Sequence, residues 1–340
     1  VSSLGSDPVV VEVVRSGFVE SVHHGRIAIT APDGSLVAGL GDVASPFFPR
    51  SASKPLQAVG MVRLGLDLTG ELLALTCGSH TGEPFHVDGV RAMLARSRLT
   101  EDALQTPPDW PIDDEARLAE IVAGRTQRPI TMNCSGKHAG MITTAMINDW
   151  PIEDYLDPGH PVQQGILAAI ADLTGDRPAA VAIDGCGAPL VAVTLTGLAR
   201  AFGRIAGATG RSPEARVAEA IRAHPQWVSG THRDEYALHQ AVPGLVAKSG
   251  AEAVYAAGLP DGRGIAIKIN DGSQRARPVL LAELLLRLGF DHETVRQQAR
   301  PAVLGHGAPV GEIRAVLPKD WTPRGAVFPA VGHRSPESLR

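Results

Sequence analysis

The sequence predicts an α+β protein, within the broad α/β class: an antiparallel sheet flanked by helices, with a helical region inserted between its two halves. Three observations point there. Short apolar runs bounded by tight turns gather near both ends of the chain, helical periodicity fills the middle, and strands at the two ends bury their faces most simply by pairing with each other. The expected organisation is one unit over residues 1–340. Its sheet region spans about 1–50 and 240–325, and its mostly helical region about 51–239.

Val9 to Val14 reads as the first strand. Arg26 to Ala31 and Ser35 to Leu40 read as a hairpin closed by Pro32-Asp33-Gly34. Pro49 and Pro55 bracket Ser51-Ala52-Ser53-Lys54, and proline is tolerated only at the start of a helix, so a helix should begin near Ser51. Leu56, Val59, Met61 and Leu64 supply its buried side. Further helices are expected at Phe85 to Leu99, Asp114 to Ala123, Lys137 to Asn148, Val162 to Leu173 and Pro213 to Ala223, with a short strand at Ala179 to Ile183. Strands return at Leu245 to Lys248, Ala253 to Ala257 and Gly264 to Ile269, separated by Pro260-Asp261-Gly262 and followed by Asn270-Asp271-Gly272. Leu280 to Leu288 reads as a helix and Ile313 to Leu317 as a last strand.

A formal charge of -4 lacks the basic excess of a nucleic-acid binder, and no apolar run approaches the ~18 residues of a membrane span. The first residues lack the basic-then-apolar plan of a secretory signal, so the expected compartment is the cytoplasm. Three cysteines in 340 residues do not make a disulfide framework. Each has a glycine within two residues, which places the thiols at strand ends or tight turns; small buried hydrophobes near turns is the plainer reading.

Ser51 and Lys54 stand three residues apart, where one helical turn puts a hydroxyl and an amine on the same face. A desolvated neutral lysine can take the serine proton that otherwise keeps the hydroxyl a weak nucleophile. The start of a helix also favours a developing oxyanion. Alone this spacing means little, but Ser79 in Cys77-Gly78-Ser79-His80 and Lys248-Ser249-Gly250 complete an order. It is the layout of the penicillin-recognising serine enzymes, except that position 81 is Thr where those enzymes carry Asn. Arg50 and His80 flank the two serines and could bind a substrate carboxylate; equally, Arg50 fits a surface ion pair and His80 a turn cap. Other motifs fail. Lys137 is followed by His138, so there is no phosphate loop; Gly39-Leu40-Gly41 runs into Asp42-Val43-Ala44, so there is no dinucleotide fingerprint; and His23-His24 reads as a solvated pair.

Arg50 to Pro55, Cys77 to His80, Asn133-Cys134-Ser135-Gly136-Lys137-His138, Asp184-Gly185-Cys186 and Lys248 to Ala251 together resemble the L-asparaginase II family, the rhizobial inducible type. The resemblance implies a fold like that of serine beta-lactamases and hydrolysis of L-asparagine to L-aspartate and ammonia. It places the nucleophile and its lysine on Ser51 and Lys54, and a second serine and its lysine on Ser79 and Lys248. It further implies one zinc ion per chain, held by Cys134, Lys137 and Cys186, and no organic cofactor. Two thiolates and a neutral amine would leave a fourth position open for water. Asn133 and Asp184 join Arg50 and His80 as substrate-binding candidates, and Asp184 could also orient a metal ligand. The expected partners are the small substrate and a second copy in a homodimer, with no nucleic acid and no membrane. No motif selects asparagine over another amide, so a glutaminase, a beta-lactam hydrolase and an inactive zinc-holding relative stand as alternatives.

Overall fold

The computed structural model describes residues 7–318 and Trp321. Strands β1 (Val9–Arg15), β2 (Phe18–Thr30) and β3 (Leu36–Leu40) lead into helices α1 (Lys54–Arg63), α2 (Gly70–Thr76), α3 (Pro84–Arg96), α4 (Asp114–Val122), α5 (Ser135–Ile147) and α6 (Pro161–Thr174). A small hairpin of β4 (Val181–Ile183) and β5 (Pro189–Val191) precedes α7 (Leu195–Gly207), α8 (Pro213–Ala223), α9 (Pro225–Val228) and α10 (Asp234–Ala241). The chain then returns to the sheet with β6 (Val246–Gly250), β7 (Val254–Gly258) and β8 (Gly264–Ile269). It finishes with α11 (Ala276–Arg287), α12 (Glu293–Ala299), β9 (Ala302–Gly305) and β10 (Ala308–Ala315).

The main sheet runs β6-β7-β8-β2-β1-β10-β9, with β3 also on β2 and every pairing antiparallel. Strands from both ends of the chain meet at β1 and β10, as the sequence predicts. Period-two alternation sorts the central strands by size. Ile27, Ile29, Tyr255, Ile265 and Ile267 face a core with Leu280, Leu281 and Leu284 of α11, while Ala28, Ala256 and Ala266 face the core containing Leu198 and Phe202 of α7. The small side lets α7 lie directly on the sheet. A Cβ at Gly264 would come within 1.8 Å of the Ala199 carbonyl oxygen, and one at Gly258 within 2.1 Å of that of Phe202.

Every helix and strand segment the sequence predicts is present, with shifted ends. β2 starts earlier, at Phe18, and the last strand is Ala308–Ala315, folded back on β9 through His306 and Gly307, both at positive φ. Helix α7 was not predicted, because Gly197, Gly203 and Gly207 interrupt its pattern at about 1 kcal/mol each relative to Ala. Close packing on the sheet and the Thr194 cap, whose Oγ1 accepts the Gly197 N–H at 2.8 Å, offset that loss. α2, α9, α10, α12, β5 and β9 are short and also escaped sequence patterning. His23 is not solvated as expected: it is buried, with Nδ1 2.6 Å from an Asp271 oxygen. Among the described residues no helix is long and apolar enough to cross a membrane.

Candidate active site

Ser51 sits in a 3₁₀ turn, Arg50–Ser53, that leads directly into α1 with Pro55 in its first turn. Arg50 adopts a left-handed conformation, φ 51°, which costs a non-glycine residue on the order of 1 kcal/mol or more. Three contacts hold it. Arg50 Nε donates to Asp184 Oδ1 at 2.7 Å. The Arg50 carbonyl accepts from Ser53 Oγ at 2.8 Å, and that hydroxyl is held by Gln57 Nε2 at 2.9 Å. Finally, Gly250 of β6 presses on the turn: a Cβ there would lie 2.6 Å from the Pro49 carbonyl oxygen and 3.4 Å from Ser51 N. The glycine of Lys248-Ser249-Gly250 therefore lets the edge strand reach the serine's backbone.

Lys54 is buried, and its Nζ donates to the Gly78 carbonyl at 2.6 Å and to Ser79 Oγ at 3.0 Å. The resemblance paired Lys54 with Ser51 and Lys248 with Ser79. In the structure Lys54 is the amine on Ser79, and the Ser51 hydroxyl has no hydrogen-bond partner among the described residues. Lys248 instead donates to Glu235 Oε1 and to the Ser249 carbonyl, both at 2.9 Å, and Glu235 also accepts the Ser249 N–H. Burial pulls Lys248 down and the Lys54 charge adds to this; Glu235 opposes them, leaving it lowered to about 8. Burial disfavours the Glu235 carboxylate, but Lys248, Arg233 and Arg277 outweigh it and hold the acid below its usual range.

Ser51 and Ser79 share one cleft of about 330 Å³, lined also by Asn133, Arg233, Gln274 and Arg277. His80 lies behind its wall, fully buried, with Nε2 2.8 Å from Ser135 Oγ and its ring stacked on His86. Burial first, then His86 and Lys54, drive its basicity well down, so the ring is neutral. Sequence reading missed Glu235 and Arg233. Both look like ordinary surface charges at the start of a short polar helix, and only the approach of β6 and the cleft gives them partners or purpose.

A second cluster adjoins the cleft through Asn133, whose Oδ1 accepts from the Cys134 thiol at 3.1 Å. Cys134 caps α5, Lys137 follows one turn later, and Cys186 comes in on the tight turn after β4. Lys137 Nζ donates to Cys186 Sγ at 3.2 Å, and the influence of the two cysteine sulfurs on one another lowers Cys186 and raises Cys134. Burial opposes the Lys137 charge, but both cysteines raise it above the usual lysine range. His138, which sequence reading passed over, also faces Cys186 and bonds the Tyr155 hydroxyl at 2.8 Å. Among the described residues no three His, Cys, Asp or Glu side chains gather to hold a metal, so a site here depends on Lys137. The donor set suits one: two free, buried cysteines, and a buried amine whose hydrogen-bond partner is one of them.

No curated protein matches the chain. Among solved structures, it is similar to Mglu in its native form, with 16% identity, TM-score 0.44, and coverage of 79% of this chain and 65% of that one. It is also similar to a beta-lactamase from Mycobacterium bovis (15%, TM-score 0.43, 77% and 94%) and to a Bacillus glutaminase (15%, TM-score 0.41, 78% and 91%). The chain thus spans 65% of the length of Mglu. The sequence profile of L-asparaginase II matches residues 11–315, a stretch that includes both serines, both lysines and the cysteine cluster, and the chain belongs to the L-asparaginase II family.

Proposed function

We propose that this chain hydrolyses L-asparagine to L-aspartate and ammonia by acyl transfer through Ser51, with Lys54 and Ser79 moving the proton. Family membership supports an amidohydrolase; the observation that carries the finer reading is the shared cleft. Ser51 and Ser79 both open onto it, and Lys54 Nζ holds Ser79 Oγ at 3.0 Å. Ser51 Oγ attacks the amide carbonyl, and its proton passes to the Lys54–Ser79 pair. The oxyanion forms at the strained turn, where the Ser51 backbone N–H lies against the Gly250 contact and faces the cleft's edge-strand wall of Ser249, Gly250 and Ala251. The pair returns the proton to the departing nitrogen as the C–N bond breaks, and water then cleaves the ester by the reverse proton path. Lys248, tied to Glu235, fixes Ser249 and β6 against the turn.

The direct Lys54 contact favours one second reading, in which Ser79 is itself the nucleophile. In either reading Cys134, Lys137 and Cys186 would hold zinc, which when bound supplies a Lewis-acid position beside Asn133. The proposal places the enzyme in the cytoplasm, in keeping with three free, buried cysteines. Ammonia release from L-asparagine, L-glutamine and a chromogenic cephalosporin by purified protein tests the substrate: asparagine should lead. A preference for glutamine, or cephalosporin hydrolysis without ammonia release from asparagine, would overturn it.

A further inference from the structure

We infer that Arg233 is the residue that binds the α-carboxylate of the substrate, and so restricts the cleft to free amino-acid amides. This rests on the acyl-transfer reading above and adds a residue to it. The cleft is lined by two arginines and, among the described residues, by no aspartate or glutamate. Such a lining selects an anionic ligand. The two arginines are not equivalent. Arg277 is fixed: it is buried, its Nη2 lies 3.5 Å from Asp234 Oδ1, and its guanidinium stacks over Tyr255 at 5.3 Å. Arg233 is half-buried on the cleft, and its guanidinium has no hydrogen-bond or ion-pair partner among the described residues. It holds the N-cap position of α10, but its side chain makes no cap hydrogen bond.

Arg50, the arginine that sequence favours for this task, is already engaged by Asp184 at 2.7 Å, and the cleft is lined without it. The local sequence explains the division of labour. Arg233, Asp234 and Glu235 are consecutive: Glu235 anchors inward on Lys248, Asp234 steadies Arg277, and Arg233 is left facing the cleft. A planar guanidinium with five donors, held on a short anchored helix, suits bidentate capture of a carboxylate. The carboxylate end of asparagine would then be fixed while its side-chain amide lies against Ser51 and Ser79.

The test compares wild type with Arg233→Ala and Arg233→Lys on L-asparagine and on its α-carboxamide, which lacks the anion. Calorimetric binding of L-aspartate and melting temperatures are measured alongside. For Arg233→Ala the KM for L-asparagine should rise on the order of 10²-fold, with kcat within a few-fold, and preference for the acid over the carboxamide should vanish. Arg233→Lys should recover part of the affinity. L-aspartate binding should weaken in parallel with an unchanged melting temperature. An active wild type whose Ala variant keeps both its KM and its preference would overturn the assignment while leaving the acyl-transfer reading intact. An inactive wild type that still loses L-aspartate binding on substitution would sink the reaction and uphold the carboxylate site.

Discussion

Glu235→Gln should destabilise the protein strongly, in a way that depends on pH. The Lys248 and Glu235 side chains are 0% and 1% exposed and 2.9 Å apart. Removing one partner of such a pair strands the other and costs roughly 3–5 kcal/mol. At about 2–4 °C per kcal/mol for a large domain, that is a fall in Tm on the order of 10 °C. The pH dependence follows from Lys248, whose folded value of about 8 lies below its ordinary 10.5. A depressed lysine penalises folding fully below its folded value, and the penalty lifts as pH rises from about 8 towards 10.5. Once Lys248 loses its proton, the carboxylate has no charge to pair with, so the gap between wild type and variant should shrink from pH 7 to pH 9.5. Differential scanning calorimetry at the two values measures it. A fall of less than about 2 °C at pH 7, or an equal fall at both, would refute the paired state. The Lys248→Met, Glu235→Leu double variant should regain much of the loss, because it leaves no orphaned charge.

Four further outcomes are expected. Ser51→Ala and Lys54→Met should each lower kcat by about 10³-fold or more while keeping the circular dichroism of the fold; turnover within a few-fold of wild type in Ser51→Ala would move the nucleophile to Ser79. Protein purified without chelator should carry zinc near one per chain, lost in Cys134→Ala and Cys186→Ala and kept in Cys77→Ala, as metal analysis would show. Lys54→Arg, which keeps the positive charge but cannot give up its proton, should be as inactive as Lys54→Met; turnover near that of wild type would remove lysine as the base. Gly250→Val should abolish activity before it abolishes folding, since its Cβ would meet the Pro49 carbonyl oxygen at 2.6 Å and push β6 off the Ser51 turn.

Local chemistry was legible in the sequence and long-range partnership was not. Ser51, Lys54 and Gly250 announce themselves by spacing, because one turn of helix and one strand end fix their relations. Cys134 and Lys137 stand out as a pair only through the family resemblance, not through their spacing. The pairing of the lysines was not legible, since Lys54 reaches Ser79 across 25 positions and Glu235 reaches Lys248 from a separate helix. Glu235 reads as an exposed acid in a first turn until β6 buries it. His80 reads as a cleft residue from its neighbour Ser79, yet α5 covers it through Ser135. The outer architecture followed from strands at both ends, whereas α7 was hidden by the glycines that let it touch the sheet.

The most direct test of acyl transfer through Ser51 is to quench the enzyme during turnover of L-asparagine and map the modified peptide by mass spectrometry. The account predicts an aspartyl ester on Ser51, absent from Ser51→Ala. An ester on Ser79, or full turnover with no covalent adduct on either serine, would contradict it.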